Sequence, residues 1–289
     1  MERYVVNLAM LGRIEWLTSI TNAISSYGAI VKRGDELCIQ LPSQHYQLGA
    51  MHLASLGCLI EYFDRKQCVI RIVGQPDSVN FFVKKLKWQS YWKSHNNYTS
   101  AEDDSIMNLW RVSENAVESY THNVCTFLKH VRFRNKDLSA VSNSLLEAYY
   151  NIFDHADANG IAFSFIRYLE KEEKLSVAIC DLGKGIAVSV KEKRPDITDD
   201  GDAIELAMQD RFTSQSKSRN KGLGLGNIRM ACTEDDSLRI ISNRGFLVAT
   251  RDEIIQRNNN LDFPGTLIFY ELSLSHFENE EIIPMFEFD

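Results

Sequence analysis

An α+β fold is predicted for this chain: a two-layer sandwich of helices on an antiparallel sheet in its second half, preceded by a smaller α/β unit and a helical connector. Three observations carry the prediction. A length of 289 residues admits two domains at roughly 100 to 200 residues each. The spacing of apolar residues switches repeatedly between helical and strand-like periods. From Leu138 onward the elements run helix, hairpin, loop, helix, hairpin, strand, which is not the βαβ alternation of a parallel sheet.

In residues 1–92, Tyr4–Leu8 reads as a strand, Ile14–Tyr27 as a helix stopped by Gly28, and Glu36–Leu41 as a second strand closed by Pro42. His45–Leu56, ended by Gly57, is expected to be helical. Cys58–Phe63 and Gln67–Val73 are expected to be strands, and Asp77–Leu86 a helix. The length and element order of this unit resemble a STAS-type module, which implies regulation or docking of a protein partner. The polar run Ser90–Asp104 reads as a linker, so 93–137 is taken as linker plus connecting helix. There Ile106, Leu109, Trp110, Val112, Val117, Tyr120, Val124, Phe127 and Leu128 recur mostly at three- and four-residue intervals, as one long amphipathic helix or two would require.

The region 138–275 opens with a helix over Leu138–Ala156, whose core stripe is Leu138, Val141, Leu145, Tyr149, Ile152 and Ala156. Ile161–Leu169 and Leu175–Cys180 form a hairpin through the charged turn Glu170–Lys174. Helices over Ala203–Asp210 and Asn227–Cys232 follow, and the strands Leu238–Ser242, Phe246–Thr250 and Thr266–Leu272 complete the sheet. The acidic end, 276–289, sets glutamates among phenylalanines and reads either as a docking segment or as a frayed tail.

Composition narrows the function. Asp and Glu outnumber Lys and Arg 39 to 32, for a net charge of -7 and a pI near 5.6, which argues against nucleic acid as the main partner. An apolar fraction of 44% with 15 Gly and 5 Pro excludes a fibrous or largely disordered chain. No window reaches the ~18 uninterrupted apolar residues of a membrane helix, and Met1–Met10 lacks the basic and apolar regions of a secretory signal. A cytoplasmic protein without a membrane partner is expected. The six cysteines, Cys38, Cys58, Cys68, Cys125, Cys180 and Cys232, include no C-x-x-C pair and read as reduced thiols. His45, His52, His95 and His276 show no metal spacing.

Chemistry concentrates in the second half. Glu147, Asn151 and Asp154 stand four and three residues apart, so they share one helix face, which a solvated surface would also explain. Gly183 and Gly185 follow the carboxylate of Asp181 at a strand end, and Gly222, Gly224 and Gly226 lead into a helix. Glycine lets backbone approach a ligand closely, and the helix beyond offers unpaired N–H groups to an anion. Neither a Walker A loop nor a Rossmann fingerprint is present. Thr213–Lys221 mixes hydroxyls with Gln215, Lys217, Arg219, Asn220 and Lys221, the composition of a lid that closes on polyphosphate or of a plain exposed loop.

Taken in order, Glu147-x-x-x-Asn151-x-x-x-His155-Ala156, Asp181-x-Gly183-x-Gly185, Gly222-x-Gly224-x-Gly226 and Gly265-Thr266 resemble the N-box, G1 box, G2 box and final-strand signature of the GHKL (Bergerat-fold) ATPase superfamily. That superfamily groups gyrase, the heat-shock chaperone of ninety kilodaltons, histidine kinases and mismatch-repair ATPases. The likeness spans about 138–274. It implies ATP and Mg²⁺ as cofactors. Asp181 would receive the adenine amino group, with Thr266 supporting the contact through water, and Gly183 and Gly185 would make the turn beside adenine. Asn151 would ligate Mg²⁺. Gly222, Gly224 and Gly226, with Lys221 at the lid's end, would wrap the phosphates. Glu147 would take a proton from the attacking water or hydroxyl.

The likeness departs from histidine kinases at one point: His122 is followed by Asn123 and His130 by Val131, so neither has the acidic neighbour of an acceptor histidine. The expected function is an ATP- and Mg²⁺-binding regulatory protein that acts on the γ-phosphate. It would do so as an ATPase or as a Ser/Thr protein kinase resembling anti-sigma factors. A nucleotide-gated clamp that closes as a homodimer and a non-catalytic scaffold are the alternatives.

Overall fold

The computed structural model describes residues 1–9, 12–44, 47–86, 106–131, 133–155, 161–209, 225–234, 236–273 and 277–279, with the backbone alone at 106–110, 131, 155 and 227. The first unit is β1 (Arg3–Asn7), α1 (Arg13–Tyr27), β2 (Glu36–Gln40), α2 (Ala50–Arg65), β3 (Val69–Val73) and α3 (Pro76–Asn80), the last continued by a π-helical turn over Phe81–Lys85. The second unit is β4 (Ile106–Ser113), α4 (Val117–Val131), α5 (Ser139–His155), β5 (Ile161–Leu169), β6 (Lys174–Asp181), α6 (Ile186–Lys193), α7 (Asp200–Ala207), α8 (Gly226–Ala231), β7 (Leu238–Ala249) and β8 (Ile254–Ser273). The chain is mixed α+β, as expected, with one parallel and one antiparallel sheet.

β1, β2 and β3 lie side by side in sequence order, all parallel. Right-handed crossovers in that order place α1 and α2 on one face of the small sheet. The large sheet has the order β4-β5-β6-β8-β7 and is antiparallel throughout. Its two faces are both covered. Val177, Ile179, Ile268 and Tyr270 pack with α4 to α8 in one core, whereas Phe163, Phe165, Ala178, Cys180, Leu267 and Phe269 pack with α1, α2 and the small sheet in another. The molecule is therefore built in four layers, sheet, helices, sheet, helices, the last two being the large sheet and the helices α4 to α8.

Four expected elements are corrected, one of them being the hairpin over Leu238–Thr250, which is the single strand β7 paired along its length with β8 and irregular at Asn243. Cys58–Phe63 is not a strand but the second half of α2. That helix is squeezed between two sheets and buries 13 of its 16 residues, so it lacks the polar stripe by which a helix is read. Gly57 makes the squeeze possible: a Cβ there would meet the Phe163 ring at 2.8 Å. The connector 93–137 is not all helix, because Ile106–Ser113 is the edge strand β4. A register shift between Met107 and Trp110 breaks its alternation and leaves the apolar residues at helical intervals. The last strand begins at Ile254, not Thr266. Its polar first half pairs with β7, and Asn258 there accepts the Asp200 amide at 3.2 Å, holding the start of α7. A helix not expected at all, α6, follows Gly185.

The two units are also tied by charge. Arg111 of β4 donates to Glu61 of α2 at 2.9 and 3.2 Å, and Arg65 donates to the same carboxylate at 2.7 Å. Among the described residues no helix is long and apolar enough to cross a membrane.

Candidate functional site

The site is built at the ends of three neighbouring strands. Alternation along β6 sends Ile179 and Asp181 to the face that carries α5, and Thr266 of β8 lies directly opposite Asp181. Ser242 of β7 lies opposite Thr266 in turn. Three polar side chains thus end three apolar columns of the sheet on one face. The Ser242 hydroxyl donates to the Gly265 carbonyl at 3.0 Å and lies 3.3 Å from Thr266 Oγ1.

These hydroxyls cap α6. Thr266 Oγ1 accepts the Ile186 amide at 3.1 Å and Ser242 Oγ accepts the Ala187 amide at 3.3 Å, satisfying two of the helix's orphan donors. Gly185, the N-cap, has φ +86, and a Cβ there would sit 2.6 Å from Ser242 Oγ and 2.8 Å from the Gly265 carbonyl. No other residue fits that corner. Gly183 plays a different part, donating its amide to Asp181 Oδ1 at 2.6 Å.

Asp181 is 1% exposed, and its Oδ2 has no hydrogen-bond partner among the described residues. Burial pushes its pKa up to about 8, against the pull of the Gly183 and Thr266 amides. A buried polar atom without a partner is costly, so Oδ2 marks a place that a polar group from outside the described residues would satisfy.

Helix α5 packs on the same face of the sheet. It packs on α6, which Gly185 opens, and on α8, which Gly226 opens. Asn151 is only 8% exposed, while Glu147 and Asp154 on the same stripe are partly buried, so the stripe is not fully solvated. Asn151 Nδ2 donates to the Glu147 carbonyl at 2.8 Å and to Glu147 Oε1 at 3.0 Å. Its Oδ1, the atom a hard cation would use, is the other arm of the amide. Asp154 lies near Lys193 of α6, whose pKa is lowered by burial and by Lys184 and raised in part by Glu192 and Asp154. Among the described residues no group of three or more His, Cys, Asp or Glu side chains could hold a metal.

Asp181, Gly183, Gly185 and Thr266 thus lie together at one end of the sheet, while Glu147 and Asn151 lie on α5, which packs on α6, and Gly226 begins α8. Lys221, Gly222, Gly224 and the stretch Thr213–Lys221 lie outside the described residues, as do the His155 side chain and the tail beyond Asn279. Thr266 differs from expectation in being committed to the Ile186 amide and to Ser242. Ser242 and Asn243, whose Nδ2 donates to the Lys184 carbonyl at 3.2 Å, escaped the sequence reading. The available signal was weak: two polar residues ending an apolar strand. No protein-family model matches this chain, and no curated protein matches it.

Proposed function

We propose that the chain binds ATP with Mg²⁺ at this site and acts on the γ-phosphate, in the manner of the GHKL ATPases that its motifs resemble. The observation that carries the reading is the buried Asp181 carboxyl, whose Oδ2 has no hydrogen-bond partner among the described residues and which ends β6 just ahead of the Gly185 turn. A flat heteroaromatic ring with an exocyclic amine supplies that partner, and the apolar columns beneath Asp181 suit its faces.

Each residue of the chain then has a task. Asp181 Oδ2 accepts the ring's amine, and the Gly183 amide holds the carboxyl in place through Oδ1. Asn151 offers Oδ1 to the cation while its Nδ2 orients Glu147. Glu147 receives the proton of the attacking hydroxyl or water. The bound nucleotide supplies a transferable phosphoryl group. Titration calorimetry with ATP tests the reading: the wild type takes up one equivalent in a Mg²⁺-dependent manner, and Asp181→Asn loses at least ten-fold in affinity. Equal binding by both proteins, or none by either, removes it. Labelled ATP then separates the two chemistries, since a kinase leaves label on protein and a hydrolase leaves free phosphate.

A further inference from the structure

A concavity lies across the large sheet from Asp181. Strand alternation that sends Asp181 toward α5 sends Leu182 toward the first unit, where it packs with the core shared by α1 and α2. The last turns of α2, the start of β5 and Leu182 enclose a cavity of about 280 Å³. Its apolar wall is Ile161, Phe163 and Leu182; its polar rim is Glu61, Arg65 and Lys66.

The rim carries excess positive charge. Glu61 is already held by Arg65 and by Arg111, two guanidinium groups on one carboxylate. Lys66 rests its ammonium 5.1 Å from the Tyr62 ring centroid, and among the described residues it pairs with no carboxylate. Lys66 also caps the C-terminal end of α2, where the helix's carbonyls favour a cation. Covalent chemistry is disfavoured at this place. The Cys58 thiol donates to the Cys180 carbonyl at 3.1 Å, and burial holds its pKa well above the ordinary thiol value.

We propose that this cavity binds a small organic anion: one carboxylate on an aromatic or branched aliphatic body. The body lies against Ile161, Phe163 and Leu182, and the carboxylate lies at Lys66 and Arg65. The volume is at the low end for ligand sites, which limits the body to about one ring. A carboxylate entering a half-apolar cavity needs a paired charge, and Lys66 is the cation not already committed to one. The site is separate from the proposed nucleotide site and does not depend on that reading.

The experiment uses the full chain without nucleotide. Benzoate, 3-phenylpropionate and 4-phenylbutyrate, with 4-phenylbutan-1-ol as the uncharged control, are titrated by calorimetry into wild type and Lys66→Met. Lys66 is partly exposed and ends its helix, so the variant keeps the fold, which circular dichroism checks. The expected result is one-to-one binding of at least one carboxylate and at least ten-fold weaker binding of the alcohol. Lys66→Met removes that preference while leaving the alcohol's affinity unchanged. The proposal is overturned if none of the three carboxylates saturates, if the alcohol binds as well as its carboxylate, or if Lys66→Met discriminates as the wild type does.

Discussion

Replacing Asp181 by Asn probes the site through its energetics, with no ligand present. The carboxyl is buried at the sheet's end and titrates at about 8 in the folded chain, against 3.8 for an ordinary aspartate. Between those two pH values the folded state holds a proton that the unfolded state has released, so stability falls as pH rises. The slope is about 1.4 kcal/mol per pH unit. It ends near pH 8, where both states are ionised. By pH 7 the accumulated loss is on the order of 4 kcal/mol. Asparagine has no such titration. Its Oδ1 keeps the Gly183 amide, while its Nδ2 falls where Oδ2 has no partner, leaving buried N–H groups at a cost of about 1 to 3 kcal/mol. The two proteins are thus expected to be nearly equal in stability at pH 5, with the variant ahead by about 1 to 3 kcal/mol at pH 7. Urea unfolding of both from pH 5 to 9 measures this, and taking the difference cancels every other titrating group. A difference that stays constant within about 0.5 kcal/mol from pH 5 to pH 8 would refute the assignment of Asp181 as a buried carboxyl that is protonated in the folded chain at neutral pH.

Other perturbations follow from the same geometry. Glu147→Ala is expected to cut phosphate release or protein labelling from ATP by about 10²- to 10⁴-fold while the dissociation constant for ATP stays within about three-fold, as single-turnover assays would show. Asn151→Ala should erase the difference in ATP affinity between Mg²⁺ and excess EDTA, measured by calorimetry; a difference that survives places the cation elsewhere. Gly57→Ala pushes α2 off Phe163 and should lower the unfolding free energy by about 1 to 3 kcal/mol, read from the urea midpoint. Because one apolar core joins the first unit to the large sheet, the full chain should melt as a single calorimetric transition, and two separated transitions would contradict the shared core.

What the sequence disclosed tracks how local the signal is. Asp181, Gly183, Gly185 and Thr266 were legible because strand ends and glycine turns are written in a few adjacent residues. Asn151 and Glu147 were legible because helical spacing puts them on one face. Burial was not: the stripe reads as solvated until α6 and α8 are seen against it. Elements with two covered faces were the hardest. α2 lacks a polar side because a sheet lies on each flank. The bulge in β4 produced helical intervals in a strand. Ser242 acquires its part only through β8, more than twenty residues later, which no short window can contain.

The position of α2 has one further consequence. Because Gly57 and Cys58 rest directly on Phe163 and Cys180, the reverse of the sheet that ends in Asp181 is the ceiling of the first unit. Among the described residues no flexible linker separates that helix from the sheet: its contact is side chain and backbone directly on the strands. Between the helix and the face that carries Asp181 lies only the thickness of a single strand.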